Sequence, residues 1–302
     1  MIKKSYRVIP AIILFCMALT IPVDAGWAKS PVKKASHRHS KNVVSEKAPG
    51  KLVLRSAAAL VEDQRTGEYL VEKQATAVVP IASITKLMTA MVLLDSEINL
   101  DESFTIETTD MDTLRHSHSR LPVGSYITRR DALLIALMSS DNRAASALGR
   151  NYPGGRIAFV AAMNAKAKSL GLTETHFVDS TGLSSGNVSS ARDLARLVDA
   201  AYKYSLIREF TTCKNALIHN GRRDLAFHNT NRLIQNPHWQ IGLSKTGFIG
   251  EAGRCLVMQA HVAKRPVLIV LLDSQGRLTR VGDANRIKQW LEGPSAQKTR
   301  KG

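Results

Sequence analysis

A chain of 302 residues, 44% of them hydrophobic, can bury the core of one large domain or two smaller ones. Its formal net charge of +17 predicts attraction to anionic surfaces and polymers. Aromatic residues make up only 5% and no DNA- or RNA-binding motif is present, which argues against nucleic acid as the partner.

The chain opens on a secretory pattern, assigned to residues 1–28. Lys3, Lys4 and Arg7 form a basic head, and Val8–Ile21 is an apolar run too short to span a bilayer comfortably. Ala25 or Ala28 offers a small-residue cleavage site; an uncleaved anchor is the alternative. Export implies a periplasmic location, with membrane association if the anchor is kept. Cys16 lies inside the apolar run, so Cys213 and Cys255 remain to form one disulfide or to stay as two thiols. The second arrangement is preferred, with Cys255 inside a strand.

Residues 29–53 read as a basic, disordered linker. Lys29–Arg55 carries eight Lys and Arg against Glu46 alone, with Ser, Pro and Gly between them. It is either a solvated tail or a non-specific contact to an anionic wall or membrane surface. His37 and His39 are too isolated to suggest a metal site. Residues 293–302 read as a second loose basic end.

The folded part is expected over 54–292. Ala57–Glu62 and Glu68–Glu72 flank Asp63–Gly67 as a hairpin with a Gly-containing loop. Ser83–Asp95 has apolar residues round most of a helix, the mark of an interior helix. Asp101–Arg130 is polar and mixed, and its His116 and His118 point to a solvated or substrate-facing loop rather than a metal site. Helices follow at Arg130–Leu137, Arg156–Leu170, Ser190–Tyr202 and Ser205–Thr211. Then the period changes: Gln240–Thr246, Gly253–Val262 and Val267–Asp273 are rich in Val, Leu and Ile and read as strands. Thr279–Leu291 closes the chain as a helix. The order implies an α+β architecture, an antiparallel five-stranded sheet assembled from both chain ends around an inserted all-helical region.

Three short motifs stand out. Ser83 and Lys86 lie three apart in the first turn of the buried helix, so they share a face. The pair is either an N-cap with a snorkelling lysine, or a nucleophile and its base; the amine can act as base only if burial or a second cation lowers its pKa. Ser140-Asp141-Asn142 sits between two helices as a rigid elbow. Lys245-Thr246-Gly247 ends a strand, where the glycine admits a ligand backbone and Lys245 and Thr246 can hold an anionic group. Ser-x-x-Lys recurs at Ser30 and Ser295, and Ser-x-Asn at Ser40 and Ser185, but in tails or a loop. Lys-Thr-Gly occurs once.

The set, in this order and context, is that of the penicillin-binding proteins and class A β-lactamases. From Leu54 to Leu291 the sequence resembles the low-molecular-mass penicillin-binding proteins, the D-alanyl-D-alanine peptidases, with their β-lactamase/transpeptidase-like fold. Pro80–Thr89, Asp179-Ser180-Thr181-Gly182-Leu183, His228–Asn231 and Glu251-Ala252-Gly253 carry the resemblance beyond the three motifs. Ser119-Arg120-Leu121, Tyr152–Arg156 and Gly253–Ala260 are similar to the type-7 group, the D-alanyl-D-alanine endopeptidases.

That resemblance implies roles. Ser83 attacks a D-Ala carbonyl and forms an acyl-enzyme. Lys86 takes the Ser83 proton, kept neutral by desolvation and by Lys245. Ser140 relays a proton to the leaving amine, and Asn142 bonds the substrate amide. Lys245 and Thr246 bind the acidic end of the substrate, and the backbone N–H groups of Ser83 and Phe248 form the oxyanion hole. No metal or other cofactor is called for. The partners implied are peptidoglycan cross-linked peptides, with β-lactam antibiotics as covalent inhibitors; a monomer is the working form. A class A β-lactamase needs a deacylating Glu just ahead of Leu-Asn, and neither Glu174 nor Glu209 has that setting, so penicillin is expected to trap the protein. Carboxypeptidase relatives commonly carry Thr or His where Phe248 stands, and a further C-terminal β domain. Both departures favour endopeptidase over carboxypeptidase.

Overall fold

The computed structural model describes residues 52–293. The signal assigned to 1–28, nearly all of the linker at 29–53 and the tail after Gly293 lie outside the described residues. In chain order the elements are β1 (Ser56–Asp63), β2 (Tyr69–Lys73), β3 (Val79–Pro80), a 3-10 turn (Ala82–Thr85), α1 (Lys86–Asp95), β4 (Ser103–Thr105) and β5 (Tyr126–Thr128). There follow α2 (Arg129–Met138), α3 (Asn142–Arg150), α4 (Gly155–Ser169), β6 (Val188–Ser189), α5 (Ala191–Tyr202) and α6 (Ser205–Thr212). The chain then runs through β7 (Asn215–His219), β8 (Asp224–His228), β9 (Gln240–Ile249), β10 (Gly253–Val262), β11 (Arg265–Ser274) and α7 (Thr279–Glu292).

The main sheet has five antiparallel strands in the order β2-β1-β11-β10-β9. Its central strands are apolar without alternation because both faces are covered. In β11, Leu268, Val270 and Leu272 join the core that holds α1, α2 and α5. Their neighbours Val267, Ile269 and Leu271 face the other way, onto Ala284, Ile287 and Leu291 of α7. Successive side chains point to opposite faces of a strand, so a strand packed on both sides must be apolar at every position. β9 is the last strand of the order, and its outer edge carries the Lys245-Thr246-Gly247 stretch.

The inserted region is helical in its packed core, as expected, but it is not all-helical. β4 pairs with β5, β7 with β8, and β3 with β6. These pieces of two to five residues are too short to stand out as periodic patterns. The buried helix also begins differently from expectation. Lys86–Leu93 is buried throughout, but Ser83 sits in the 3-10 turn that precedes it and caps nothing with its side chain. Ala82 enters that turn at φ 48°, and Thr85 Oγ1 donates to Ala82 O at 2.8 Å.

Cys213 and Cys255 are both free thiols, and burial pushes the Cys255 pKa up to about 11. Among the described residues no helix is long and apolar enough to cross a membrane.

Candidate active site

The three motifs meet. Lys86, on the first turn of α1, has a wholly buried side chain whose Nζ reaches Ser83 Oγ at 2.8 Å, Asn142 Oδ1 at 2.7 Å and Thr181 O at 2.6 Å. Two of these partners are carbonyl oxygens and can only accept, so they claim two N–H bonds. The third direction faces a hydroxyl, which can accept from an ammonium or donate to a neutral amine. The geometry therefore suits Lys86 in both states and directs its lone pair, when it has one, at Ser83. Burial lowers the Lys86 pKa to about 7, opposed by Asp179, Asp141 and Asp112.

Ser140 follows α2 at φ 61°, a left-handed conformation unusual for serine. There its Oγ accepts from Lys245 Nζ at 2.8 Å; Lys245 also donates to Thr246 O at 3.1 Å. Asp141 caps α3 by accepting from Ala144 N at 2.9 Å and holds Ser119 Oγ at 2.7 Å, while burial raises its pKa. Asn142 passes its amide on to Ser117 Oγ at 2.8 Å. A line of side-chain hydrogen bonds thus ties Ser83, Lys86 and Asn142 to the elbow whose Ser140 meets Lys245. Burial, then the charges of Lys86 and Arg280, hold Lys245 well below the usual lysine range. The repulsion expected at Lys86 is felt at Lys245, whereas Lys86 itself is depressed by burial.

Strand β9 presses on the nucleophile's turn. A Cβ on Gly247 would lie 2.8 Å from Ile81 O and 3.2 Å from Ser83 N, so only glycine lets the strand pass this close. Thr246 Oγ1 is 2.6 Å from Thr230 Oγ1 in the His228–Asn231 stretch. Phe248 comes next, its ring exposed beneath the Arg254 guanidinium at 4.3 Å. Arg280, from α7, donates to Gly247 O at 2.8 Å and Cys255 O at 2.9 Å.

Several of these partners had no role in the sequence reading: Thr181, Ser117, Thr230, Arg280 and above all Asp179. The Asp179 carboxylate accepts from Thr181 N, Thr181 Oγ1, Gly182 N, Ser184 N and Asn187 Nδ2 at 2.6–3.0 Å. Burial works against its charge, but these bonds outweigh it and hold the carboxyl below its usual range. Asp179 thereby shapes the loop that aims Thr181 O at Lys86. The signal was the Asp-x-x-Gly spacing of a turn, with Gly182 at φ +80°.

A single five-stranded antiparallel sheet covered by helices on both faces, with an inserted, mainly helical region and a serine–lysine pair at the start of the central helix, defines the serine DD-peptidase class of fold. The solved Streptomyces K15 DD-transpeptidase superposes on 80% of this chain and 98% of its own with a TM-score of 0.73 at 30% identity. Residues 42–276 match the peptidase S11 family, described as D-alanyl-D-alanine carboxypeptidase, and the chain belongs to that family. It is 47% identical over 281 residues to a D-alanyl-D-alanine endopeptidase of Pseudomonas aeruginosa, covering 92% of this chain and 87% of the relative. It is 45% identical over 241 residues to a D-alanyl-D-alanine endopeptidase of Escherichia coli, covering 79% and 78%.

Proposed function

We propose that this protein is an exported, periplasmic serine-type DD-endopeptidase that hydrolyses D-alanyl cross-links between peptidoglycan stem peptides. One observation carries the mechanism: a buried amine with its pKa near 7 lies 2.8 Å from the hydroxyl of Ser83. The 47% and 45% identical relatives, both named D-alanyl-D-alanine endopeptidases, support the choice of substrate. The catalytic unit is 54–292, and the basic segment before it contacts the anionic wall or membrane surface.

Ser83 Oγ attacks the D-Ala carbonyl carbon as its proton passes to the neutral Lys86 Nζ. The N–H groups of Ser83 and Phe248 hold the oxyanion, and Asn142 holds the substrate amide. Collapse breaks the C–N bond; Ser140 supplies the leaving amine with a proton and regains one from the lysine pair. Water then attacks the ester as Lys86 again takes its proton; the acyl–oxygen bond breaks, Lys86 returns the proton to Ser83 Oγ, and the acid departs and ionises to a carboxylate. Lys245 and Thr246 hold the acidic end of the substrate. A β-lactam follows the first half of this path, but its leaving amine stays tethered. The tethered amine stays where the attacking water must come, and the Asp179 carboxylate, committed to its loop, adds no second base, so the acyl-enzyme persists.

The family's description favours a second reading, D-alanyl-D-alanine carboxypeptidase on uncross-linked stems. Digestion of cross-linked wall with the purified protein separates the two. Dimers are expected to fall to monomers; loss of terminal D-Ala from monomers with dimers intact would refute endopeptidase specificity.

A further inference from the structure

One side of the catalytic elbow opens on a cationic groove to which the steps above give no role. Its inner end, a hollow of about 210 Å³, is walled by Ser140 and Asn142 together with His118, Arg120, Phe227 and His228. Arg120 also walls a second hollow, of about 390 Å³, which continues along β8 to Arg223. Arg223 in turn walls a third, of about 280 Å³, that ends at Arg222 and Pro122. Arg120 and Arg223 each border two of the hollows, so the three lie in a row, a track leading away from Ser140 between the 118–125 segment and the β7–β8 hairpin. His118, Arg120, Arg222, Arg223 and His228 are all exposed along it.

The charges are available to a ligand. Arg120 spends Nη1 on Ala226 O at 3.0 Å, and among the described residues its other nitrogens have no partner. The Arg223 side chain has neither a hydrogen bond nor an ion pair among the described residues. The two carboxylates in the walls are engaged elsewhere: Asp141 with Ser119 and Ala144, Asp224 with His219 Nδ1 at 3.0 Å. Three arginines, Arg120, Arg222 and Arg223, stand against these two carboxylates, so the track carries a net positive charge, which attracts and orients an anionic chain.

We propose that this groove holds the leaving half of the cross-linked substrate, a peptide that keeps its own free carboxylates after the D-alanyl bond breaks. The inference rests on the endopeptidase reading and deepens it. The proton for the leaving amine comes from Ser140, so the departing chain must lie on the Ser140 side, and the groove begins there. A carboxypeptidase releases a single amino acid and has no use for a track three hollows long. A penicillin has no second chain and reaches no farther than Ser140 and Asn142 at the inner end.

The test compares the full protein with Arg120→Glu and Arg223→Glu, measuring kcat/KM for purified cross-linked muropeptide dimers and the rate of acylation by fluorescent penicillin. Reversing one charge on the track is expected to lower dimer cleavage about tenfold. Penicillin acylation should stay within about twofold, since that ligand does not extend to either arginine. Salt should weaken dimer cleavage by the wild type more than by either variant. Arg120→Glu also removes the bond to Ala226, so Arg223→Glu, whose side chain is unengaged, decides if the first variant misfolds. Equal losses in both assays, or unchanged dimer cleavage, would overturn the groove assignment alone. A wild type that cleaves no dimers removes the endopeptidase reading itself, before any variant is compared.

Discussion

Gly182→Ala tests the site through its backbone. A Cβ at Gly182 would lie 2.0 Å from Ala82 O, 2.4 Å from Ala82 C and 2.9 Å from Ser83 N. Ordinary carbon contacts begin near ~3.5 Å, so the loop and the nucleophile's turn must part by about 1.5 Å. Neither side can yield cheaply. The loop is held by the Asp179 carboxylate, and the turn is backbone pressed from the other flank by Gly247. The φ of +80° adds roughly 1–2 kcal/mol for any L side chain. With relief of the clash at about 1–3 kcal/mol, the variant should lose roughly 2–5 kcal/mol of stability. For a unit of this size that lowers the melting midpoint by about 5–15 °C. Displacing Ser83 relative to Lys86 by about 1 Å should slow acylation about a hundredfold. The assay is the second-order rate of labelling by fluorescent penicillin, measured well below the midpoint, with thermal unfolding alongside. Gly186→Ala is the control: its φ is ordinary and its nearest neighbours are Val178 and Ser184 side-chain atoms at 3.1–3.4 Å. Only side-chain ends must shift there, by a few tenths of an ångström, so that variant should label as the wild type does and melt within a few degrees of it. Gly182→Ala labelling within about threefold of wild type would mean that the apposition of loop and turn does not position the nucleophile.

Two further outcomes are expected. Ser83→Ala should abolish covalent penicillin labelling while shifting stability by only about 1 kcal/mol, the worth of one hydrogen bond; undiminished labelling would place the nucleophile elsewhere. The acylation rate should rise with pH to a plateau, with its midpoint near the Lys86 pKa of about 7, because the base works only as the free amine. Below the midpoint the rate falls as Lys86 is protonated, and a rising limb centred above pH 9 would show an unperturbed lysine instead.

The fold was legible where packing is two-sided or strongly periodic. Val267–Leu272 is apolar at every position because α7 and the α1–α5 side both cover it, and α1 is apolar nearly all round because it is enclosed. The short pairs β3–β6 and β4–β5 were not, since two or three residues carry no period. The β7–β8 hairpin is a different case: Asn220-Gly221 lies between alternating runs, with Gly221 at φ +85°, and is a legible hairpin signal absent from the sequence-derived elements. At the site, side chains were legible and main-chain groups were not. Ser83, Lys86 and Asn142 fall in one hydrogen-bonded set and Ser140, Lys245 and Thr246 in a second, and the Ser140–Asn142 elbow joins the two. The Thr181 carbonyl that steadies Lys86 belongs to a backbone and leaves no mark on residue type. The 3-10 turn under Ser83 likewise lies close against the backbone at Gly182 and Gly247, contacts that its own residue types do not record.

Burying Lys86 sets the energetics of the whole site. A pKa lowered from 10.5 to about 7 corresponds to about 5 kcal/mol against folding. The sign follows from which state holds the proton: the folded chain gives it up first. The cost is therefore full below about pH 7, shrinks as pH rises towards 10.5 and vanishes above it, so this group makes stability increase with pH across that window. Thr181 O, Asn142 Oδ1 and the nearby carboxylates keep the cost from growing larger, and the two-faced sheet offsets the remainder. Lys245 is depressed in the same direction by its burial and by Lys86 and Arg280. On the proposed mechanism this crowding has a use. The proton that Lys86 takes from Ser83 arrives in a buried space that already disfavours a second cation. Handing it on through Ser140 to the departing amine relieves that repulsion. The same desolvation that weakens the fold thus gives the base its lone pair and drives the proton toward the leaving group.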